Sequence, residues 1–117
     1  MKDIMKFPSA GQVTTKGYPG EMIKYTVDKQ FSDESLWKLT VNQFRTKPDG
    51  EDGGWRGEFW GKLMRAACLT YEVTHDAGLY AEITESVNDM LTTQEKNGRF
   101  STYPEKYEFC AWDMWSR

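Results

Sequence analysis

The sequence is poor in cysteine and histidine, has no long apolar run and carries no excess of positive charge. Two cysteines in 117 residues are too few for a disulfide framework, and Cys68 and Cys110 do not have the spacing of zinc ligands. The 15 lysines and arginines are balanced by 18 acidic residues without a basic stripe, which argues against a nucleic-acid partner. No apolar stretch approaches the length of a membrane span, and residues 1–7 have no apolar signal-peptide core. These absences favour one small cytoplasmic domain without a membrane or nucleic-acid partner.

Aromatic residues, in contrast, are abundant, at 15% of the chain with five tryptophans. Four of the tryptophans lie near the ends of predicted helices: Trp55, Trp60, Trp112 and Trp115. Aromatic rings gathered where loops meet helices suit either a hydrophobic core or the floor of a carbohydrate cleft.

The apolar pattern predicts a mainly α-helical chain preceded by a short β segment. In residues 1–31 prolines and glycines break the chain repeatedly. Between these breaks, residues 12–15 and 21–27 are rich in Val, Thr, Ile and Tyr, and Ile23, Tyr25 and Val27 alternate with polar residues. We therefore predict an irregular segment with a short β-hairpin over 1–31 and a helical segment over 32–117.

Helical spacing of apolar residues predicts the individual helices. The first begins at Ser32 or Asp33, ends before Pro48 and has the stripe Leu36, Trp37, Thr40, Val41 and Phe44. The second runs from about Glu58 to Thr74, with Phe59, Leu63, Ala66, Ala67, Thr70 and Tyr71 on one face. Asp76 caps a third helix, antiparallel to the second, which closes at Asn97-Gly98. Its buried stripe is predicted to contain Leu79, Ile83, Val87, Met90 and Leu91. A fourth begins near Lys106 and has no ending before Arg117, so we expect the chain to be the N-terminal piece of a longer protein.

The start of the second helix is the most unusual stretch, because tryptophans, a phenylalanine and a charged pair lie there among glycines. Arg56 and Glu58 can each make two hydrogen bonds to sugar hydroxyls, or they can form a local ion pair. Trp60 and Trp112 are the stacking candidates, and the alternative for each is a place in the core. The sequence predicts these substrate-binding residues: Trp55, Arg56, Glu58, Trp60, Tyr103, Trp112 and Asp113.

The order of several motifs resembles a known family. An Asn-Gln-Phe-Arg helix ending precedes Trp55-Arg56-Gly57-Glu58-Phe59-Trp60-Gly61-Lys62, then a helical hairpin, Gln94 with residues 98–103, and residues 112–117 with the sequence Trp-Asp-Met-Trp-Ser-Arg. This order, over about residues 35–117, resembles the beginning of the catalytic domain in the β-L-arabinofuranosidase family of glycoside hydrolases, family 127. The resemblance implies a short β segment followed by part of an (α/α)6 toroid, with carbohydrate bound at its mouth.

The resemblance also implies what this chain lacks. The family uses a glutamate as acid/base and a zinc-held cysteine as nucleophile, and these residues lie downstream of the matched region. Neither Cys68 nor Cys110 corresponds to them, so we expect no catalytic residue, no metal site and no turnover here, with zinc confined to a full-length parent. Where characterised members have a histidine, this chain has Trp112, which implies a different sugar specificity.

Other polar and sulfur-containing residues have simpler explanations. Cys68 is expected to be a small buried residue, Cys110 a free thiol beside the cleft, and His75 a helix C-terminal residue rather than a metal ligand. Asp113 can bind a sugar hydroxyl or hold Arg99 or Arg117.

The leading hypothesis is thus an N-terminal piece of a carbohydrate-active hydrolase that contributes cleft residues but no catalytic group. The alternative is a free-standing helical binding or protein-interaction module. As an isolated chain it should expose helix faces that promote self-association.

Overall fold

The computed structural model describes residues 8–9, 11–49 and 56–114, and within them the protein is mainly helical, without a strand. The elements, in chain order, are α1 (Gly17–Thr26), a π-helical turn (Val27–Phe31), α2 (Glu34–Thr46), α3 (Arg56–Thr74), α4 (Ala77–Leu91) and the short 3-10 turns Glu105–Tyr107 and Ala111–Met114. The prediction of a mainly α-helical chain is confirmed.

The predicted β-hairpin is wrong, because residues 21–27 belong to α1 and the turn that follows it. Ile23 and Val27 are four residues apart and partly buried, whereas Tyr25 between them is 58% exposed. The residues that alternate in sequence therefore follow the helical period. The proline in this segment is also compatible with a helix. Pro19 lies in the first turn of α1, where a missing amide is tolerated. A Cβ at Gly20 would lie 2.8 Å from the Thr15 carbonyl oxygen, which requires glycine there.

Helices α2, α3 and α4 form the body of the structure. Asp33 and Asp76 cap α2 and α4, with carboxylates that accept hydrogen bonds from the amides of Ser35 and Leu79. Only His75 and Asp76 separate α3 from α4. Near that connection the rings of Tyr71 and Tyr80 lie 5.2 Å apart.

At the far end of the same pair, the indole nitrogen of Trp60 donates to the hydroxyl of Ser86 across 3.0 Å. Contacts between the start of one helix and the end of the other, at both ends, show that α3 and α4 are antiparallel, as predicted.

The core has two parts along this bundle. One contains Phe31, Trp37, Ala67 and Leu79; the other contains Val41, Phe44 and Met90, with Trp60 and Phe100 packed against it. The predicted stripe of α2 is confirmed, since its members Trp37, Thr40, Val41 and Phe44 are buried. Trp60, near the start of α3, therefore packs against the second cluster, which we call the distal core cluster.

Several predictions about the helices need correction. The buried face of α3 is centred on Ala67, so Phe59 and Ala66 are exposed, and so is Cys68, which was expected to be buried. Helix α4 ends at Leu91 rather than at Asn97-Gly98, and Leu91, which was predicted to be part of its buried stripe, is 56% exposed. The predicted fourth helix is replaced by the two 3-10 turns, between which Phe109 has a positive φ of 61° that interrupts a regular helix.

Candidate functional site

The C-terminal end of α2, the N-terminal end of α3 and the segment 94–114 meet at one end of the bundle. Lys47, just after α2, forms an ion pair with Glu95. At the start of α3, the Arg56 guanidinium donates to the carbonyl oxygen of Pro48 across 2.7 Å. Phe100 packs against the distal core cluster beside Trp60. Arg56 and Trp60 of α3 therefore lie beside the segment that also carries Tyr103 and Asp113.

Arg99 is the centre of the polar interactions there. Its side chain is 4% exposed, and its guanidinium contacts Glu95 at 3.1 Å and Asp113 at 3.4 Å. It also donates to the carbonyl oxygen of Tyr103 across 3.1 Å. A guanidinium suits this position because it has donors in several fixed directions and keeps its charge when buried.

Asp113 is fully buried, and its carboxylate organises the end of the described chain. One oxygen accepts from the Ser101 hydroxyl and the other from the Phe109 amide, across 2.9 Å in the second case. Together with Arg99, these bonds tie the last 3-10 turn to residues 99–109 before it. Of the roles that the sequence left open for Asp113, the structure supports the one in which it holds Arg99.

Arg56 and Tyr103 form a second buried pair. The Arg56 guanidinium lies 4.0 Å from the centre of the Tyr103 ring, a cation–π contact. Arg56 and Tyr103 are 6% and 1% exposed. The hydroxyls of Tyr103 and its neighbour Thr102 are buried and form no hydrogen bond to the described residues, so each retains the capacity to bind an enclosed water.

The ion pair of Lys47 with Glu95 extends the network to α2. The hydrogen bond from Lys47 holds the pKa of the Glu95 carboxyl below its ordinary value, with partial opposition from burial and further help from the charges of Lys47 and Arg99. Glu95 therefore stays ionised to lower pH than a solvated glutamate. The network therefore contains the charged carboxylate of Glu95 at neutral pH.

The remaining predicted residues are less buried. Trp60 is half-buried beside an apolar hollow of about 400 Å³, and its indole nitrogen is bonded to Ser86. Glu58 forms an ion pair with Lys62 one turn along α3. Trp112 is 38% exposed and Phe109 is 66% exposed. Trp55, the other predicted member of the site, lies outside the described residues.

Sequence reasoning named Arg56, Tyr103 and Asp113, but it did not anticipate that Arg99 connects Asp113 to the carbonyl oxygen of Tyr103. The one signal was the proposed pairing of Asp113 with Arg99. Glu95, Lys47 and Ser101 gave no signal, because their contacts depend on how α2 meets the segment after α4.

Residues that could hold zinc do not come together in the described chain. Cys68 lies on α3 and Cys110 lies in the terminal segment, both as exposed free thiols. Among the described residues there is no group of three or more His, Cys, Asp or Glu side chains that could hold a metal ion. The donor set of a cysteine-rich zinc site is therefore not provided by this part of the chain.

Comparison with known proteins gives one family. The model of the catalytic domain of β-L-arabinofuranosidase, GH127, matches residues 17–116. No curated protein and no solved structure matches the chain. None of the helices in the described ranges combines the length and the hydropathy needed to cross a membrane, and a cytoplasmic location stays a prediction.

Proposed function

The chain belongs to the GH127 β-L-arabinofuranosidase catalytic-domain family, and from that premise we propose that it forms part of the wall of a carbohydrate-binding cleft. In this proposal α2, α3 and α4 are part of an (α/α)6 toroid. The catalytic glutamate and the zinc-held cysteine lie outside this sequence, and a parent glycosidase supplies them. The described chain contributes binding surface and positioning residues.

The proposal rests on the buried, hydrogen-bonded residues around Asp113, which we call the support. The exposed ring of Trp112 is next to them in the chain. Asp113 is 0% exposed and is fixed by Arg99, Ser101 and the Phe109 amide. The residue directly before it, Trp112, nevertheless leaves 38% of its surface in contact with solvent. Aromatic faces stack on the apolar faces of sugars, and a ring on a support locked by hydrogen bonds loses little freedom when it binds.

The hydroxyls of Thr102 and Tyr103 lie in the same segment as Asp113 but are themselves buried. They therefore belong to the support and not to the surface that a sugar would touch. In this proposal Arg99 and Asp113 are positioning residues, and Trp112 is the residue that touches sugar.

The test is a titration of the chain with methyl β-L-arabinofuranoside and with other methyl pentosides and hexosides, followed by tryptophan fluorescence and saturation-transfer NMR. We expect millimolar affinity, equivalent to about 4 kcal/mol. Trp112→Ala should weaken binding about tenfold, the amount that one stacking contact of about 1.4 kcal/mol contributes.

The matched control is Tyr25→Ala, which removes a 58% exposed aromatic ring from α1. It should leave the affinity unchanged. Equal binding by wild type and Trp112→Ala would overturn the assignment of Trp112, and no binding of any sugar by wild type would overturn the proposed cleft wall.

A further inference from the structure

Helix α3 has a second apolar face that points away from the core. Its buried side is centred on Ala67, which is 0% exposed. On the outer side, Phe59, Leu69 and Val73 are 52%, 55% and 37% exposed, and Ala66 is also exposed. Phe59, Ala66 and Val73 are seven residues apart, so they lie along one line of the helix with Leu69 beside it. We call Phe59, Ala66, Leu69 and Val73 the outer stripe.

The apolar surface continues beyond α3. Pro8 and Val13 lie next to the C-terminal half of the outer stripe, where they line a hollow of about 240 Å³ together with Leu69 and Val73. Val13 is 45% exposed. Apolar side chains exposed along one helix face in this way mark a candidate interaction surface.

Charged residues beside the outer stripe indicate which partner fits. Glu58 and Lys62 at its N-terminal end form an ion pair with each other. Arg65 and Glu72 are exposed, and in the described part of the chain neither has an ion-pair partner. They are seven residues apart and therefore share one edge of the stripe, about 10 Å apart along the helix.

We propose that the outer stripe binds a second copy of this chain, with the two α3 helices antiparallel about a two-fold axis that passes near Leu69. The midpoint between Arg65 and Glu72 is next to Leu69, so this axis places Arg65 of each copy opposite Glu72 of the other. By the same symmetry Ala66 of one copy lies near Val73 of its partner, offset by about 3 Å along the helix axis, and the small alanine permits close approach. The interface is isologous, so the single pairing of Arg65 with Glu72 forms twice in the dimer.

The contact is short, because the stripe from Phe59 to Val73 spans about 21 Å of helix. Stable dimers bury roughly 800 Å² on each partner, which a single helix face does not provide. We therefore expect a weak dimer, with a dissociation constant of about 10–100 µM. This inference does not depend on sugar binding, and its failure would leave the proposed cleft wall untouched.

Sedimentation equilibrium of the full chain across this concentration range, without sugar, measures the association. Leu69→Lys should weaken it at least tenfold, since it places a charge at the centre of the apolar contact. The matched control is Leu39→Lys, which makes the same change at a 62% exposed leucine on α2 and should leave the association unchanged.

Exchanging the charges of Arg65 and Glu72 tests whether the partner is a second copy of this chain. Both residues are exposed, so the core is not changed. Arg65→Glu places two glutamates opposite each other twice in the dimer, and we expect the association to weaken about tenfold. Arg65→Glu combined with Glu72→Arg restores the opposite-charge pairs and should restore the wild-type constant. A monomeric wild type, or a double variant no better than Arg65→Glu alone, would overturn the proposal, and so would a Leu69→Lys variant that still associates as wild type does.

Discussion

Arg99 is the residue whose removal should cost the most, because it is the buried cation beside the buried carboxylate of Asp113. The two side chains are 4% and 0% exposed, and their nearest charged atoms lie 3.4 Å apart. Arg99→Met keeps most of the side-chain volume but leaves the buried carboxyl group of Asp113 without its guanidinium. Breaking a buried pair in this way costs about 3–5 kcal/mol.

The loss is large compared with the stability of a domain of this size, which is about 5–15 kcal/mol. At about 4 °C for each kcal/mol, it corresponds to a melting temperature lower by roughly 12–20 °C. Urea unfolding at neutral pH, followed by tryptophan fluorescence and circular dichroism, measures the free energy of unfolding for wild type and variant.

The matched control is Arg45→Met. Arg45 also forms an ion pair, with Asp89 at 2.6 Å, but these side chains are 45% and 35% exposed, so the loss should not exceed about 1 kcal/mol. In the double variant Arg99→Met with Asp113→Asn, the loss should be smaller than the sum of the two single losses, because the buried carboxylate that lost its guanidinium is gone. If Arg99→Met cost no more than Arg45→Met, the argument that this pair holds the site together would be refuted.

Two further predictions concern Glu95 and Asp76. The folded-state pKa of Glu95 is lowered, so its stabilisation is present above the ordinary pKa and is lost as the pH falls through the folded value; Glu95→Gln should be less stable than wild type at neutral pH, and their urea midpoints should converge in acid. If the two urea midpoints converged at alkaline pH instead, the lowered pKa of Glu95 would be contradicted. Asp76→Ala removes the cap on the Leu79 amide, at 2.8 Å, and should cost about 1 kcal/mol, whereas Asp76→Asn should cost less because its amide oxygen still accepts.

Local sequence signals predicted the parts of the fold that local physics determines. The caps Asp33 and Asp76 were identifiable because they precede helical apolar stripes, and the buried stripe of α2 follows directly from its spacing. In residues 21–27 the same kind of reasoning chose the wrong period, because Ile23 and Val27 fit both an alternating and a helical pattern. The choice is decided by packing against the rest of the bundle, which the stretch itself does not encode.

The polar part of the site was less predictable. Arg99 reaches Asp113 across 14 residues of irregular chain, and Lys47 reaches Glu95 across 48 residues. Such pairings have no periodicity and depend on the tertiary arrangement. Sequence alone therefore identified Asp113 and Tyr103 as unusual, but it did not show that they are buried supports while Trp112 beside them remains exposed.

The most direct test of the proposed function is two-dimensional NMR of the isotope-labelled chain during titration with methyl β-L-arabinofuranoside. The account predicts that the indole signal of Trp112 and the amide signals of Thr102 and Tyr103 shift together and saturate, while the indole of Trp37 in the core does not move. Shifts spread over all the indoles, or none at the sugar concentrations that saturate a millimolar site, would contradict it.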